Sequence, residues 1–488
     1  MRNLKKILLI VVIGVFQYQI YGQGYEIKIK IIGLQDTMVL LGHHFKDAHT
    51  LYPDDTVIVN KKGEGVFSGK EPFSGGMYFI YLPNGKYFDI LLNENQKFEI
   101  IADTSTKTEN IKVKGSIENE LFNDYRVFMI NKQDEAAALR KKKENAPTEG
   151  EKEEIEKQID SIRVAFENKM EYIITNYSNT FFARFLKGTQ DVKIPDPPKD
   201  EKGNIIDSAF QYYYYKNHYF DNFDFTDPRM LRTPLYEEKI NTFTDRVIPQ
   251  IPDSLIKACD MLIEGTRASE ELFRYMLVSL FNKYAKSEIM GMDAVYIHIA
   301  DKYYIKEAHW SDTAFINDLK ERVIKVKPLL LGKVAPNSRL VNVPSELFVM
   351  AKEDTALKKN PYVGQFFNIH DVEAKYLAII FWSVDCGHCK KSLPKLYEIY
   401  EKYKDIGFNV LAVHMLIDKE KWTDYINENE FYSWINAWNP YSHQYKEDYD
   451  ARSTNIIYLL DKDKKIIAKH IGAEQVEDII KHREGIKE

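Results

Sequence analysis

The stretch that decides the fold occupies residues 379–390 and reads IIFWSVDCGHCK. Its apolar first half is typical of a buried strand, and the Cys386-Gly387-His388-Cys389 tetrapeptide then opens a helical pattern that continues to about Lys404. A thiol at a helix N-terminus faces free backbone N–H groups and the positive end of the helix dipole, so its thiolate is favoured. The second sulfur, three residues on, lies on the same helical face and can close a disulfide. This arrangement is the redox form of a Cys-x-x-Cys motif.

The N-terminus has the parts of a secretory signal peptide. Arg2, Lys5 and Lys6 precede an apolar run of ten residues at 7–16, and small Gly22 follows a polar stretch. Because a membrane span needs roughly 18 apolar residues, cleavage after Gly22 is favoured over an uncleaved anchor. We therefore predict a signal peptide at residues 1–22, no membrane span after cleavage, and a mature protein in the periplasm or cell envelope.

The number of cysteines and the net charge narrow the function. The chain of 488 residues has only three cysteines, Cys259, Cys386 and Cys389, too few to hold a large exported protein together. Cys386 and Cys389 are therefore predicted to react with other thiols or disulfides rather than to stabilise the fold. Cys259 lies in an amphipathic helical pattern and is interpreted as a buried inert thiol rather than a third redox partner. The net charge of −6 is spread along the chain and gives no basic footprint for nucleic acid.

Residues 23–116 are predicted to form an antiparallel β-sandwich-like domain. Apolar and charged residues alternate in Tyr25–Ile32, and Pro83-Asn84-Gly85 is a strong hairpin signal. His43 and His44 are interpreted as a polar pair at a strand end rather than as metal ligands. Further strands are expected at residues 38–41, 56–59, 77–82, 87–92, 98–101 and 111–114.

Residues 117–330 are predicted to form an all-α domain. Apolar residues at helical spacing flank a turn at 145–150, which predicts an αα-hairpin. The tyrosines at 212–215 are expected to pack between helices rather than to bind an unfolded partner. The domain has no motif that carries chemistry. Further helices are expected at residues 206–220, 235–248, 254–264, 270–286, 292–304 and 313–325.

Residues 331–488 follow an α/β pattern. Strands are expected at residues 376–383, 410–416, 434–438, 456–460 and 465–470, and helices from the cysteine pair to 405 and at 419–429, 444–448 and 473–482. This order, around the tetrapeptide, resembles a thioredoxin fold and is most similar to the exported TlpA-like thiol-disulfide oxidoreductases. Phe381 and Trp382, before the motif, and Pro394, after it, lie where thioredoxins carry Phe-Trp and a helix-bending proline. The layout of a β domain, a helical domain and a thioredoxin domain also resembles an envelope architecture whose first two domains have no assigned activity.

The resemblance implies a role for each residue of the motif. Cys386 would be the attacking sulfur and Cys389 the resolving one, with a mixed disulfide between the two steps. A cationic His388 imidazole beside the thiolate would stabilise the reduced form and make the couple more oxidising.

The resemblance also implies the surroundings and partners of the motif. Trp382, Thr454 and Asn455 would shape the approach of the substrate. The substrates would be protein disulfides or dithiols, and the electrons would come from another dithiol protein. No dissociable cofactor and no metal are needed.

Two positions depart from the family pattern. Ile380 stands where thioredoxins bury an aspartate that helps to take the proton from the resolving thiol, so slow resolution is expected. Asn455 stands where the family places a cis-proline. Because a cis bond before a non-proline residue costs roughly 3–4 kcal/mol, we expect the Thr454–Asn455 bond to be trans, or strained cis, and the backbone that pairs with substrate to be altered.

Other functions fit the residues less well. A peroxidase of this fold would need Pro and Thr where Ile379 and Ser383 stand, and haem attachment would need His where Lys390 stands. A zinc site lacks two further ligands at suitable spacing. A non-enzymatic protein that binds an envelope partner through a degenerate thioredoxin module remains the alternative, because the two upstream domains make up most of the chain and the family's cis-proline is missing.

Overall fold

The computed structural model describes residues 24–359 and 364–486, so the predicted signal peptide at 1–22 lies outside the described residues. The chain divides after Ile248 into an N-terminal and a C-terminal compact unit. The predicted domain borders at residues 116 and 330 stay predictions.

The N-terminal unit begins with eight strands, several of which were expected from the sequence. They are β1 (Tyr25–Ile32), β2 (Thr37–Phe45), β3 (Asp47–Val59), β4 (Glu64–Gly69), β5 (Gly76–Tyr81), β6 (Tyr87–Leu92), β7 (Lys97–Asp103) and β8 (Lys112–Lys114). They form two four-stranded sheets in the orders β4-β1-β7-β8 and β3-β2-β5-β6. Inward apolar side chains of both sheets form one core, which confirms the predicted sandwich-like β domain.

Two features of this β domain differ from the expectation. The pair β1–β7 is parallel, with Ile27 opposite Phe98, so the domain is not purely antiparallel. The reason is that the five strands β2–β6 intervene and return the chain to the starting end of β1. Strand β4 is not evident from the sequence, because Gly65 and Gly69 within EGVFSG weaken the strand pattern. The hairpin at Pro83-Asn84-Gly85 is confirmed by the antiparallel pairing of β5 with β6 and by φ +79° at Gly85.

Five helices follow in the same unit: α1 (Ile117–Glu144), α2 (Glu149–Asn176), α3 (Phe181–Gly188), α4 (Phe210–His218) and α5 (Tyr236–Thr242). The helices α1 and α2 form the predicted hairpin, and Ser116 and Thr148 cap their N-termini with side-chain hydrogen bonds. The short helix α3 was missed. Its first N–H groups, of Phe181 and Phe182, donate to the buried Glu118 carboxylate of α1 at 2.9 Å each, a tertiary contact that has no local signal.

The C-terminal unit begins with helices α6 (Pro252–Gly265), α7 (Glu270–Ala285), α8 (Asp293–Ile299), α9 (Ile305–Glu307) and α10 (Thr313–Val326). They agree with the helices predicted between residues 254 and 325. Cys259 lies in α6 and is fully buried, and burial raises the pKa of its thiol to about 12. The thiol is therefore protonated and unreactive at neutral pH, as expected.

An α/β part completes the C-terminal unit. Its elements are β9 (Arg339–Asn342), α11 (Ser345–Glu353), α12 (Thr355–Lys359), β10 (Gln365–Asn368), β11 (Tyr376–Trp382), α13 (Gly387–Tyr403), β12 (Phe408–His414), α14 (Lys419–Asn429), β13 (Ile435–Trp438), α15 (Gln444–Asp448), β14 (Ile456–Asp461), β15 (Ile466–Lys469) and α16 (Ala473–Glu484). They form one seven-stranded sheet of order β10-β9-β13-β12-β11-β14-β15. Buried apolar clusters cover both faces of this sheet. The predicted thioredoxin-type order is confirmed, and β9, α11, α12 and β10 are additions to it.

An ion pair between a buried lysine and a partly exposed aspartate joins the helices of this unit to its sheet. The Lys469 side chain, on β15, is only 8% exposed and pairs with the Asp293 carboxylate of α8. Its ammonium also donates to the backbone carbonyl of Leu329 at 2.6 Å. A buried cation needs such partners to remain charged.

Among the residues that the structure describes, no helix combines the length and the apolar character that a bilayer crossing requires.

The buried imidazole of His414 predicts a pH dependence of stability. His414 is 1% exposed at the end of β12 and stacks on the Trp422 indole at 5.2 Å, and burial lowers its pKa from 6.5 to about 4. As the pH falls below about 6.5, the unfolded chain binds a proton at this residue and the folded chain does not until about pH 4. The free energy of unfolding should therefore fall across this window by up to about 3 kcal/mol.

The variant His414→Phe keeps an aromatic ring against Trp422 and cannot bind the proton. Urea unfolding at pH steps between 4 and 8 should show a constant difference between variant and wild type above about pH 7 and a gain for the variant below about pH 6.5. Parallel curves over the whole range would contradict the prediction.

Candidate redox site

The cysteine pair follows the carboxyl-terminal end of β11, an inner strand of the sheet. All seven of its residues are buried, which fixes the strand between its neighbours β12 and β14. The chain turns directly after Trp382, and the Cys386 N–H donates to the Ser383 carbonyl at 3.2 Å. Helix α13 begins at the next residue, Gly387, as the sequence predicts.

Cys386 is the N-cap residue of α13. Its backbone is extended, with φ −91° and ψ 111°, and its Sγ accepts a hydrogen bond from the Cys389 N–H at 3.2 Å. A sulfur atom thus takes the place that a serine or aspartate oxygen usually takes at a helix start. The free N–H groups of this first turn favour a negative charge on the sulfur.

The two sulfurs differ in exposure. Cys386 is half-buried, whereas Cys389 is fully buried in the apolar core beneath α13. Both are free thiols in the described structure. A partner thiol or disulfide can therefore reach Cys386 first, and Cys389 can be reached only through Cys386.

The environment moves the two thiol pKa values apart. Burial alone would raise the pKa of Cys386, but hydrogen bonds from the Cys389 thiol, the Thr454 hydroxyl and the N–H groups of Cys389 and His388 lower it overall. Burial, together with the hydrogen bond to the Cys386 sulfur, raises the pKa of Cys389 to about 11. The thiolate form is thus easier to reach on the accessible sulfur than on the buried one.

The Thr454–Asn455 segment lies against the pair. The Thr454 hydroxyl is near both sulfurs and acts to lower the pKa of each. Asn455 has φ +66°, and its N–H donates to the Phe381 carbonyl of β11 at 2.7 Å. No peptide bond within residues 24–359 and 364–486 is cis, so the Thr454–Asn455 bond is trans, the first of the two expected forms.

Two other predicted site residues contact the pair less directly. His388 is exposed on the first turn of α13, and it is its backbone N–H that approaches the Cys386 sulfur. The role of its imidazole stays a prediction. Trp382 is fully buried, with its ring 5.2 Å from His414 and 5.6 Å from Tyr425. Its side chain packs in the core next to the site and is not accessible to a substrate.

Strand β11 carries no replacement for the aspartate that thioredoxins bury before the cysteine pair. Ile380 is fully buried between Ala412 and Ile457 of the neighbouring strands. The Thr454 hydroxyl is a side-chain oxygen near the buried sulfur, and it acts to lower the pKa of Cys389. Within the described ranges, no group of three or more His, Cys, Asp or Glu side chains is placed to hold a metal ion.

One polar contact beside the site was not anticipated. Asp385, just before the pair, and Lys421 of α14 approach each other to 3.8 Å, and both side chains are well exposed. The two buried strands β11 and β12 are parallel, and Trp382 lies opposite His414 at their ends. The segments that follow these strands, which carry Asp385 and Lys421, are therefore close together. An exposed pair of this kind contributes little to stability.

Comparison with known protein families gives three matches along the chain. Residues 373–466 match a model described as thioredoxin-like, a span that includes β11, the cysteine pair and the Thr454–Asn455 segment. Residues 25–122 and 151–323 match two domains of unknown function, DUF4369 and DUF5106.

Individual relatives match the C-terminal part. Thiol-disulfide oxidoreductase ResA of Bacillus cereus is 25% identical over 130 residues, which are 24% of this chain and 66% of that protein. A domain of a possible thiol-disulfide isomerase from Cytophaga hutchinsonii is 33% identical, over 32% of this chain and 95% of that one, with a TM-score of 0.27. A thioredoxin-like protein from Bacteroides caccae is 17% identical over 60% of this chain and 98% of that one, with a TM-score of 0.41. The family match and the ResA relative confirm the predicted resemblance to thioredoxin-like thiol-disulfide oxidoreductases, and the chain spans just under two thirds of the ResA protein.

The backbone at Asn455 predicts that the family's proline cannot be restored. Proline fixes φ near −65° and has no N–H, whereas Asn455 has φ +66° and donates to Phe381. The variant Asn455→Pro should lower the free energy of unfolding by about 3 kcal/mol or more, measured by chemical denaturation. The matched variant Asn455→Gly tolerates a positive φ and keeps the N–H, so it should remain close to wild type. Equal stability of the proline variant and wild type would show that the loop adopts another conformation.

Proposed function

The C-terminal part of this chain is a thioredoxin-like domain, and on that premise we propose that the protein is an exported thiol-disulfide oxidoreductase that exchanges disulfides with envelope proteins. The observation that carries the proposal is the difference in exposure and in thiol pKa between the two cysteines. Cys386 is accessible and has a lowered pKa, and Cys389 is buried three residues on with a pKa of about 11. Only an ordered, two-step exchange uses such a pair fully.

In the first step, the Cys386 thiolate attacks one sulfur of a substrate disulfide. A mixed disulfide forms, the substrate S–S bond breaks, and the leaving sulfur departs as a thiolate that takes a proton from solvent. The N–H groups at the start of α13 stabilise the attacking thiolate before this step.

In the second step, Cys389 loses its proton and attacks the Cys386 sulfur. The Cys386–Cys389 disulfide forms, and the second substrate sulfur leaves as a thiol after protonation. The substrate has gained two electrons and the domain has lost two, which a second dithiol protein returns. This step is the slower one, because the pKa of Cys389 is high and the apolar Ile380 cannot accept its proton. The Thr454 hydroxyl is a polar group near this thiol.

The proposal predicts how single cysteine variants behave in insulin disulfide reduction. Cys386→Ser should reduce the rate to background, because the attacking sulfur is gone. Cys389→Ala should lose turnover and accumulate a mixed disulfide on Cys386, which non-reducing gels and mass spectrometry detect. Cys259→Ala serves as the matched control, since that thiol is buried in α6, and should keep the wild-type rate. A fully active Cys386→Ser variant would refute the enzymatic proposal and favour the binding protein instead.

Export is supported by the residue pattern at 1–22 and is tested separately. Full-length protein expressed in a Gram-negative host should appear in the periplasmic fraction with a mature N-terminus at Gln23. The variant Leu9→Arg interrupts the apolar run and should retain the uncleaved chain in the cytoplasm. A wild-type chain that stays uncleaved in the cytoplasm would refute export and leave the redox proposal untouched.

A further inference from the structure

The loop at residues 450–455 is held at both ends, and Thr454, which lies between the two anchors, is near both sulfurs. At one end, the Asp450 carboxylate pairs with the Arg322 guanidinium of α10 and is only 13% exposed. At the other end, the Asn455 N–H donates to β11. Asp450 and Asn455 both have a positive φ, of +46° and +66°. Thr454, whose hydroxyl lowers the pKa of Cys386 and of Cys389, lies in the short span between them.

The anchor at Asp450 comes from outside the thioredoxin-like segment. Helix α10 ends before the α/β part begins, and Arg322 reaches from it to the end of α15. The side chain of Arg452 also donates to Asp450, at 2.9 Å, so the carboxylate serves two cations. Asp450 needs a partner, because its left-handed backbone is a strained conformation for a residue other than glycine, although aspartate and asparagine tolerate it best.

We propose that Arg322 and Asp450 are positioning residues for the redox site: their ion pair fixes the 450–455 loop so that the Thr454 hydroxyl stays against the two sulfurs. The helices upstream of the thioredoxin-like segment thereby set the reactivity of Cys386. The inference rests on the proposed function only in taking Cys386 as the attacking sulfur.

The test measures the Cys386 thiolate and needs no turnover. Reduced full-length protein is alkylated with iodoacetamide at pH steps, and mass spectrometry follows the label on Cys386. The reference variant Thr454→Val removes the hydroxyl and should raise the pH midpoint by up to about one unit, equivalent to about a tenfold loss of thiolate below the midpoint. The other titratable and charged groups around the pair, Asp385, His388, Cys389, Lys421, Tyr425 and Arg452, remain in every variant.

Two variants that remove opposite charges separate position from electrostatics. Arg322→Met removes a cation, and Asp450→Asn removes an anion while keeping a residue that tolerates a positive φ. A direct charge effect would raise the midpoint in the first and lower it in the second. A displaced Thr454 raises the midpoint in both, with at least about half the shift of Thr454→Val, and this is the expected result.

Controls on the same two helices exclude a general effect of stability. Lys325→Met breaks an exposed ion pair between α10 and Glu447 of α15 and should leave the midpoint unchanged. Arg322→Lys keeps the charge and should restore most of the wild-type midpoint. Thermal unfolding is recorded for each variant, so that a shift is accepted only in a folded protein. Midpoints that move in opposite directions, or that match wild type in Arg322→Met and Asp450→Asn, would overturn the inference even if insulin reduction proceeds as proposed.

Discussion

The structure around the cysteine pair depends on one constraint, the need of a helix start for an acceptor. Strand β11 is buried along its whole length and ends at Trp382, and the residues up to Asp385 lead the chain into α13. The residue that caps α13 is Cys386, whose sulfur accepts a hydrogen bond from the N–H of Cys389. The same contact orders the two sulfurs, since the capping one stays at the surface and the one in the first turn is carried into the core.

The sequence predicts best the elements whose signals are local. Helix α14 begins and ends as expected, at Lys419 and Asn429, because Asp418 caps its first turn and apolar residues repeat on one face. The 3-10 turn that follows α13 ends at Gly407, whose φ of +90° suits glycine and few other residues. The position of the pair at a strand–helix junction is of this kind, because the apolar run and the tetrapeptide adjoin in the chain.

Elements that tertiary contacts create were not predictable in the same way. The strands β9 and β10 are four residues each and exist because they pair with each other at the edge of the sheet. The conformation at Asn455 depends on a carbonyl of β11, and that at Asp450 depends on a guanidinium more than a hundred residues earlier. A periodicity in the sequence reports which face of an element is buried, but not which distant side chain reaches a loop. The role of Thr454 toward both sulfurs follows from this second kind of contact.

The buried cation of β15 has a consequence for how the chain can be divided. Lys469 finds its carboxylate in Asp293 and a carbonyl in Leu329, and both precede the predicted border at residue 330. A fragment starting at that border would lose both partners together with the residues of α7, α8 and α10 that line the same pocket as Lys469. The border therefore marks a change of secondary structure that cuts through this packing, and in a fragment that starts there the Lys469 side chain and the surface that those helices cover would face water.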